Sequence, residues 1–462
     1  MVNIMSIKDL FISPRFNILL ITAYVAIGLL VSPLIPGINW LQPGDFSEAE
    51  VIYYHGIMLQ LTVLGIIIAA YITKFPKKLQ LIFNVSNIPL MILNILGIGF
   101  SYPAWAISIN NAIQGLRDVW ILLLAIALLI GLIIFPFLNV DTKNIFKKMW
   151  SAYSLLVVAT ASSLIAGIMG LTAAWGEYLN FLGAPGFFMR LINDWGGTST
   201  FLSNVVTSHS HEMLPALGAA IVAVFGISLN YSSYKGISKR IIDVGMIVAI
   251  FGVISMTTIY IISSYGTYVI PTIGSFGPQG VNGIAFDDSQ TGIIGWGALI
   301  IAVGLIGSGV LSSMVSTKRY LSILEISTWL ATIFVLIGVG YPIELNEAFF
   351  GFGVNGTPPT GGPGFIYDDL FMRGHLVFAF FLMPILAGII ASVIAIMEDK
   401  DVSQIASKIL LGLGLTGIIL GVCGLLVYMI SSGIGEILAI GISLIIVSLF
   451  AILYITFKLL KI

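Results

Sequence analysis

The stretch VWILLLAIALLIGLIIFPFL, residues 119–138, contains only apolar residues, glycine and proline. An α-helix needs about 20 such residues to cross the hydrocarbon core of a bilayer, because each residue advances it by about 1.5 Å. The apolar residues are continuous rather than alternating, which excludes a strand of a membrane β-barrel. This stretch therefore predicts a transmembrane helix.

Similar runs recur along the whole chain. They predict twelve transmembrane helices near residues 16–36, 51–73, 79–100, 118–139, 150–174, 202–229, 239–264, 292–315, 320–341, 371–397, 405–431 and 435–459. Of all residues, 58% are hydrophobic and 9% are charged, whereas soluble domains carry about 25% charged residues. We therefore expect an all-α fold, a polytopic membrane bundle of about twelve helices that forms one integral membrane domain over residues 1–462.

The distribution of basic residues predicts the orientation of the bundle. With the N-terminus inside, all but three of the 20 lysines and arginines fall on the cytoplasmic side, and the exceptions are Arg117, Arg190 and Arg373. We expect a multi-pass protein of the cell membrane with both termini in the cytoplasm. The long loops 175–201, 265–291 and 342–370 would then face outward, either as a docking surface or as an exposed cap without a ligand.

The chain has four histidines, and all fall near the predicted outer ends of membrane helices. His55 belongs to the second predicted helix, His209 and His211 to the sixth, and His375 to the tenth. These three helices run in the same direction, so the four side chains would share one layer. An ionisable residue inside the membrane edge suggests function, although each one alone is equally consistent with an interfacial hydrogen bond.

Two imidazoles from separate helices can hold one haem iron between them. His55 and His375 are the candidate pair, because each lies about four residues, or roughly 6 Å, below its predicted helix end. Haem propionates need cations, and the outer side offers Arg373, Arg117 and Arg190. The expected cofactor is one haem b, with a second haem left open.

His209, His211 and Glu212 form a tentative second metal site. Positions two apart point to nearly opposite sides of a regular helix, whereas His209 and Glu212 share a face and could bind a metal or relay protons. Pro215 removes a helical hydrogen bond and could distort this turn enough to bring both histidines together. A hydrogen-bonded helix cap remains an equal alternative.

Several short motifs resemble subunit I of the haem-copper oxidases and their nitric oxide reductase relatives. The segment Tyr54–Met58 (YHGIM) resembles the helix 2 signature, Phe83–Asn87 (FNVSN) the start of helix 3, and His211 with Leu214-Pro215 the copper-ligand region of helix 6. Gly374-His375 is similar to helix 10. The resemblance implies a twelve-helix subunit with a low-spin haem held by histidines of helices 2 and 10, here His55 and His375.

The departures from that family concern its oxygen chemistry. The family's active site uses six histidines, whereas this chain has four, and Arg373 stands where the first histidine of helix 10 would bind the high-spin haem. The predicted helix 239–264 lacks the histidine pair that binds copper. The resemblance therefore implies a degenerate relative that lacks the binuclear centre, binds no copper and does not reduce oxygen by itself.

The expected function is that of a b-type cytochrome subunit in a respiratory electron-transfer complex. It would carry electrons between quinol and an extracytoplasmic redox protein, in contact with other respiratory subunits and membrane lipid, and without nucleic acid. Membership of a quinol-oxidising enzyme is left open. The alternatives are a haem-free scaffold subunit and a secondary transporter; a transporter would need charges at mid-membrane depth, and the apolar runs offer almost none.

Overall fold

The computed structural model describes residues 12–31, 34–35, 48–100, 107–181, 198–234, 236–269, 295 and 297–317, and the single positions 412, 416 and 419. Over these ranges the regular structure is helical, with no strand. The helices are α1 (Pro14–Val31), α2 (Glu48–Ile72), α3 (Lys77–Phe100), α4 (Ile107–Leu138), α5 (Val140–Lys148), α6 (Trp150–Phe181), α7 (Thr198–Leu229), α8 (Ile237–Val269) and α9 (Gly297–Thr317), with a short 3-10 turn at Tyr231–Ser233.

Within the described ranges, five helical segments are long and apolar enough to cross a membrane. They are His55–Ile72, Lys77–Gly99, Ala112–Leu138, Trp150–Thr172 and Ile237–Ile261. Shorter apolar segments occupy α1, α7 and α9. The prediction of an all-helical membrane protein is thereby confirmed in this coarser form. The predicted helices at 320–341, 371–397, 405–431 and 435–459 lie outside the described residues, apart from the three single positions.

Helix α4 carries two apolar stripes, one buried in the bundle and one exposed on its outside. Its buried side chains recur every three or four residues at Ile121, Leu124, Leu128 and Leu132. A second apolar stripe on the same helix is about half exposed or more, at Leu116, Val119, Leu123, Ile130, Ile133 and Phe137. Exposure of such an apolar stripe to water is unfavourable, so this second face of α4 is suited to contact with lipid acyl chains.

Several helices are longer than the hydropathy pattern predicted. Helix α4 begins at Ile107 instead of residue 118, because the polar segment before the apolar run is also helical. Helices α6, α7 and α8 likewise extend into the predicted loops 175–201 and 265–291. Hydropathy finds lipid-compatible residues, whereas a helix can continue where its polar side chains meet polar partners inside the bundle.

The helix contacts bring the two parts of the described bundle together. Helices α1 to α4 pack against their neighbours in chain order, and α6 packs against α7 and α8. Contacts of α2 with α7 and of α4 with α6 join these two groups. Helix α2 therefore contacts both α4 and α7, although these helices are far apart in sequence.

Helices α8 and α9 approach closely through glycine. A Cβ atom on Gly252 would lie 2.9 Å from the carbonyl oxygen of Gly295, whereas one on Gly304 would meet nothing within 4 Å. Close backbone approach through small residues is how membrane helices gain packing contacts. We therefore expect Gly252→Ala to lower the free energy of unfolding by about 1–3 kcal/mol, because backbone atoms must move apart.

Unfolding of the purified protein in mixed detergent micelles measures this difference. The matched control is Gly304→Ala, which adds the same methyl group to the same helix pair and should leave the free energy of unfolding nearly unchanged. Equal effects of the two variants would show that α8 and α9 do not depend on this contact.

Candidate functional site

His55 and His209 meet where α2 contacts α7. Their ring centroids are 6.2 Å apart, and the rings are nearly perpendicular, with an interplanar angle of 74°. His55 lies seven residues into α2, or about 10 Å along the helix, and His209 lies eleven residues into α7, or about 16 Å. His55 thus lies deeper along its helix than the predicted 6 Å, because α2 begins at Glu48 instead of residue 51.

The His209 ring is fixed from two sides by α6. Its Nδ1 lies 2.7 Å from the carbonyl oxygen of Ala166. Since a carbonyl oxygen can only accept, Nδ1 carries the proton and Nε2 is left as the basic nitrogen. A Cβ atom on Gly170 would lie 2.7 Å from Cε1 of this ring, so only glycine leaves room for the imidazole here.

His55 differs from His209 in its hydrogen bonding. Among the described residues its only specific contact is the ring of His209, and neither of its nitrogens has a hydrogen-bond partner there. Its side chain is half-buried rather than fully enclosed. With no hydrogen bond to the described residues, its ring nitrogens are available to bind a ligand.

Arg117 lies inside the bundle, not outside the fourth span as the sequence predicted. Its side chain is 1% exposed, and its position falls within the membrane segment Ala112–Leu138. Its Nε donates to Asp118 Oδ1 at 2.8 Å and its Nη1 donates to Asn94 Oδ1 at 3.2 Å. Buried polar partners and the adjacent carboxylate explain how the cation can leave the surface.

One guanidinium nitrogen of Arg117 makes no hydrogen bond to the described residues. Its Nη2 is buried and has no hydrogen-bond partner within the described part of the chain, and the same holds for the hydroxyl of Tyr24. The charge of Arg117 acts on both Tyr24 and His55. Gly56, next to His55, abuts the same cluster, because a Cβ atom there would lie 3.5 Å from Asn94 Oδ1. Arg117 and the residue next to His55 therefore both contact Asn94.

A chain of side-chain hydrogen bonds leads from this cluster across three helices. Asn94 donates to Gln60 Oε1 at 2.8 Å, Gln60 donates to Asn87 Oδ1, and Asn87 donates to Asn17 Oδ1 at 2.7 Å. All four amides are fully buried. We call this chain of amides the amide ladder, and the sequence pattern alone did not predict it. The spacing of Asn87 and Asn94, seven residues apart, does place both amides on one face of α3.

Gln60 is the central member of the amide ladder. We expect Gln60→Leu to lower the free energy of unfolding by about 1–3 kcal/mol, because the buried Asn87 Oδ1 loses its donor and the buried Asn94 Nδ2 loses its acceptor. Gln114→Leu is the matched control, since Gln114 is half-buried in α4 and makes no hydrogen bond within the described residues. Unfolding in mixed micelles compares the two variants; a larger effect at Gln114 would contradict the assignment.

Glu212, which the sequence predicted as a possible metal or proton-relay partner of His209, is a second buried charged residue. Its side chain is 0% exposed, and it lies near the middle of α7. Ser162 of α6 donates to its Oε1 at 3.0 Å, and Thr257 of α8 lies 2.8 Å from the Ser162 hydroxyl. Its Oε2 has no partner among the residues described. The expectation that buried charges are almost absent was therefore wrong for Arg117 and Glu212.

Three of the other candidate residues lie outside the described ranges, so their parts in a haem site remain predictions; they are His375, Arg373 and Arg190. Helix α7 is unbroken through Pro215, which leaves positions 209 and 211 on nearly opposite sides of a regular helix. The described ranges hold no cluster of three or more histidine, cysteine, aspartate or glutamate side chains that could bind a metal ion.

The resemblance to haem-copper oxidases rests on motifs that fall partly within described helices. The YHGIM and FNVSN motifs lie in α2 and α3, and the His211 motif lies in α7. The Gly374-His375 motif lies outside the described residues. Comparison with protein-family models, curated proteins and solved structures found no match to this chain, so membership of that family remains a prediction.

Proposed function

We propose that this chain is a b-type cytochrome subunit of a respiratory electron-transfer complex. The observation that carries the proposal is His55, an imidazole within the membrane bundle that has no hydrogen-bond partner among the described residues. Imidazole is a common axial ligand of haem iron. The unused donor of Arg117 nearby adds the cation that a haem carboxylate requires.

The described residues fit a haem at this place. His55 and His375 would hold the iron, and Arg117 Nη2 would donate to a propionate, joined by Arg190 and Arg373. Asp118 balances the charge of Arg117, so that the cation can remain buried without a bound anion. When bound, the haem supplies reversible one-electron transfer. His209 packs against His55 and limits how its ring can turn.

Two described groups could take protons from a quinol. Nε2 of His209 is a free base, because its Nδ1 proton is directed to Ala166. Glu212 Oε2 is unpartnered, while Ser162 holds the other carboxylate oxygen. Both groups lie on the side of α7 that meets α6, so a proton released near His209 would have an acceptor one helical turn away. We propose Glu212 as that acceptor.

The first experiment is a dithionite-reduced minus oxidised absorbance spectrum of the purified wild-type chain. We expect a b-type α-band with about one haem per chain. A stable, colourless preparation that also fails to bind added haem would overturn the proposal. Haem content measured independently by pyridine haemochromogen assay excludes a coloured contaminant.

The buried Glu212 also favours a second candidate, a secondary transporter. Ionisable groups buried in a membrane bundle often mark proton or ion pathways. In vesicles that contain a pH-sensitive dye, a transporter that couples to protons would move them when its substrate is added, and Glu212→Gln would stop this movement. A haem-containing chain without such flux excludes the transporter.

A further inference from the structure

The short helix α5 and the segment 73–78, which joins α2 to the start of α3, form one basic surface at the ends of the membrane helices. Six lysines on these two segments are exposed, and Asp141 is the only acidic residue there; the lysines are Lys74, Lys77, Lys78, Lys143, Lys147 and Lys148. Like charges repel, so such a cluster is stable only where counter-charges are at hand. The positive charge of this surface therefore favours the binding of an anionic partner.

Hydrogen bonds hold the two segments together. The carbonyl oxygen of Lys74 accepts from Asn139 Nδ2 and from Thr142 Oγ1, each at 3.2 Å. Asn139 also caps α5, because its Oδ1 accepts from the backbone N–H of Asp141 at 2.8 Å. Lys74 itself adopts a left-handed backbone with φ of 59°. These hydrogen bonds thus hold the lysines of the two segments on one continuous surface.

Exposed apolar side chains border the lysines. Phe137, Leu138 and Val140 are 83%, 74% and 72% exposed, and Trp150 is 47% exposed at the start of α6. This surface lies between the ends of the membrane segments Ala112–Leu138 and Trp150–Thr172. Aromatic and apolar side chains beside lysines, at that level, match the boundary between acyl chains and headgroups.

We infer that this basic surface binds the phosphate headgroup of an anionic phospholipid. The lysines match the charge of the phosphate, and the neighbouring apolar side chains match the acyl chains of the same molecule. A soluble anion would use the lysines alone and leave the apolar border in water. Basic clusters next to membrane helices typically recognise anionic lipids in this way.

The test is lipid retention by the full-length protein in native mass spectrometry. The protein is equilibrated in micelles with equal amounts of dioleoyl phosphatidylglycerol and dioleoyl phosphatidylcholine. We expect wild type to retain phosphatidylglycerol preferentially, and Lys147→Gln/Lys148→Gln to reduce its apparent affinity about tenfold or more. The matched control, Lys239→Gln/Arg240→Gln, removes two charges at the start of α8 and should retain the preference.

Three outcomes would overturn the inference: equal retention of both lipids by wild type, equal loss in the control, or displacement of the lipid by soluble glycerol phosphate. The last would indicate a site for free phosphate groups. Should the double variant fail to fold, the wild type still decides, because headgroup binding must weaken as salt rises. Haem content plays no part in these measurements, so this inference and the proposed function can fail separately.

Discussion

Replacement of His55 by alanine should remove the haem that we propose for this chain and, with it, the α-band of the reduced-minus-oxidised spectrum. We expect this loss because imidazole is the proposed axial ligand, and the neighbouring His209 ring is held by Ala166 of α6. The alanine also leaves a hole the size of the ring. Added free imidazole should enter that hole and restore part of the band.

His209→Ala is the matched control, because it removes an imidazole that touches the first one. The Nδ1 atom of His209 is engaged by Ala166, and its ring supports His55 without taking its place. We expect this variant to keep its haem, whereas His375→Ala should lose it. Loss of haem in the His209 variant together with its retention in the His55 variant would assign the axial ligand to α7 and refute the proposed pair.

The sequence was most informative where one physical property decides the structure. The apolar stretch 119–138 predicted the membrane part of α4, because a continuous run of about twenty apolar residues is typical of a helix that crosses the membrane. It could not predict that the helix begins at Ile107, since this depends on polar contacts made with other helices. Arg117, for example, is buried and donates to Asn94 of α3, which is distant in sequence.

The same reason limits what could be predicted of the candidate site. That His55 and His209 lie at a similar depth followed from their helices, but their contact depends on which helices are neighbours. Arg117 was assigned to the outer side because it precedes the predicted span 118–139. One partner that reduces the cost of its burial, Asp118, is its neighbour in sequence, but the other, Asn94, belongs to α3, and nothing in the local sequence of α4 reveals it.

Replacement of Arg117 by methionine should have the largest effect on stability among the described residues. Methionine keeps much of the side-chain volume but removes the charge, so Asp118 loses the cation that lies 2.8 Å from its Oδ1. Asp118 is itself only 17% exposed. Removal of one partner from such a pair costs about 3–5 kcal/mol, because the remaining charge stays buried without compensation. Unfolding in mixed micelles measures the change.

The double variant Arg117→Met/Asp118→Asn separates charge from packing. If the cost comes from the stranded carboxylate, the neutral asparagine should recover most of the lost free energy of unfolding, since no charge is then buried. If the double variant is as unstable as Arg117→Met alone, the cost lies in the lost hydrogen bond to Asn94 and in the amide ladder beyond it. An effect of Arg117→Met below about 1 kcal/mol would mean that the pair is hydrated, as exposed ion pairs are. In that event Arg117 could not present a dry, unused donor to a haem carboxylate beside His55.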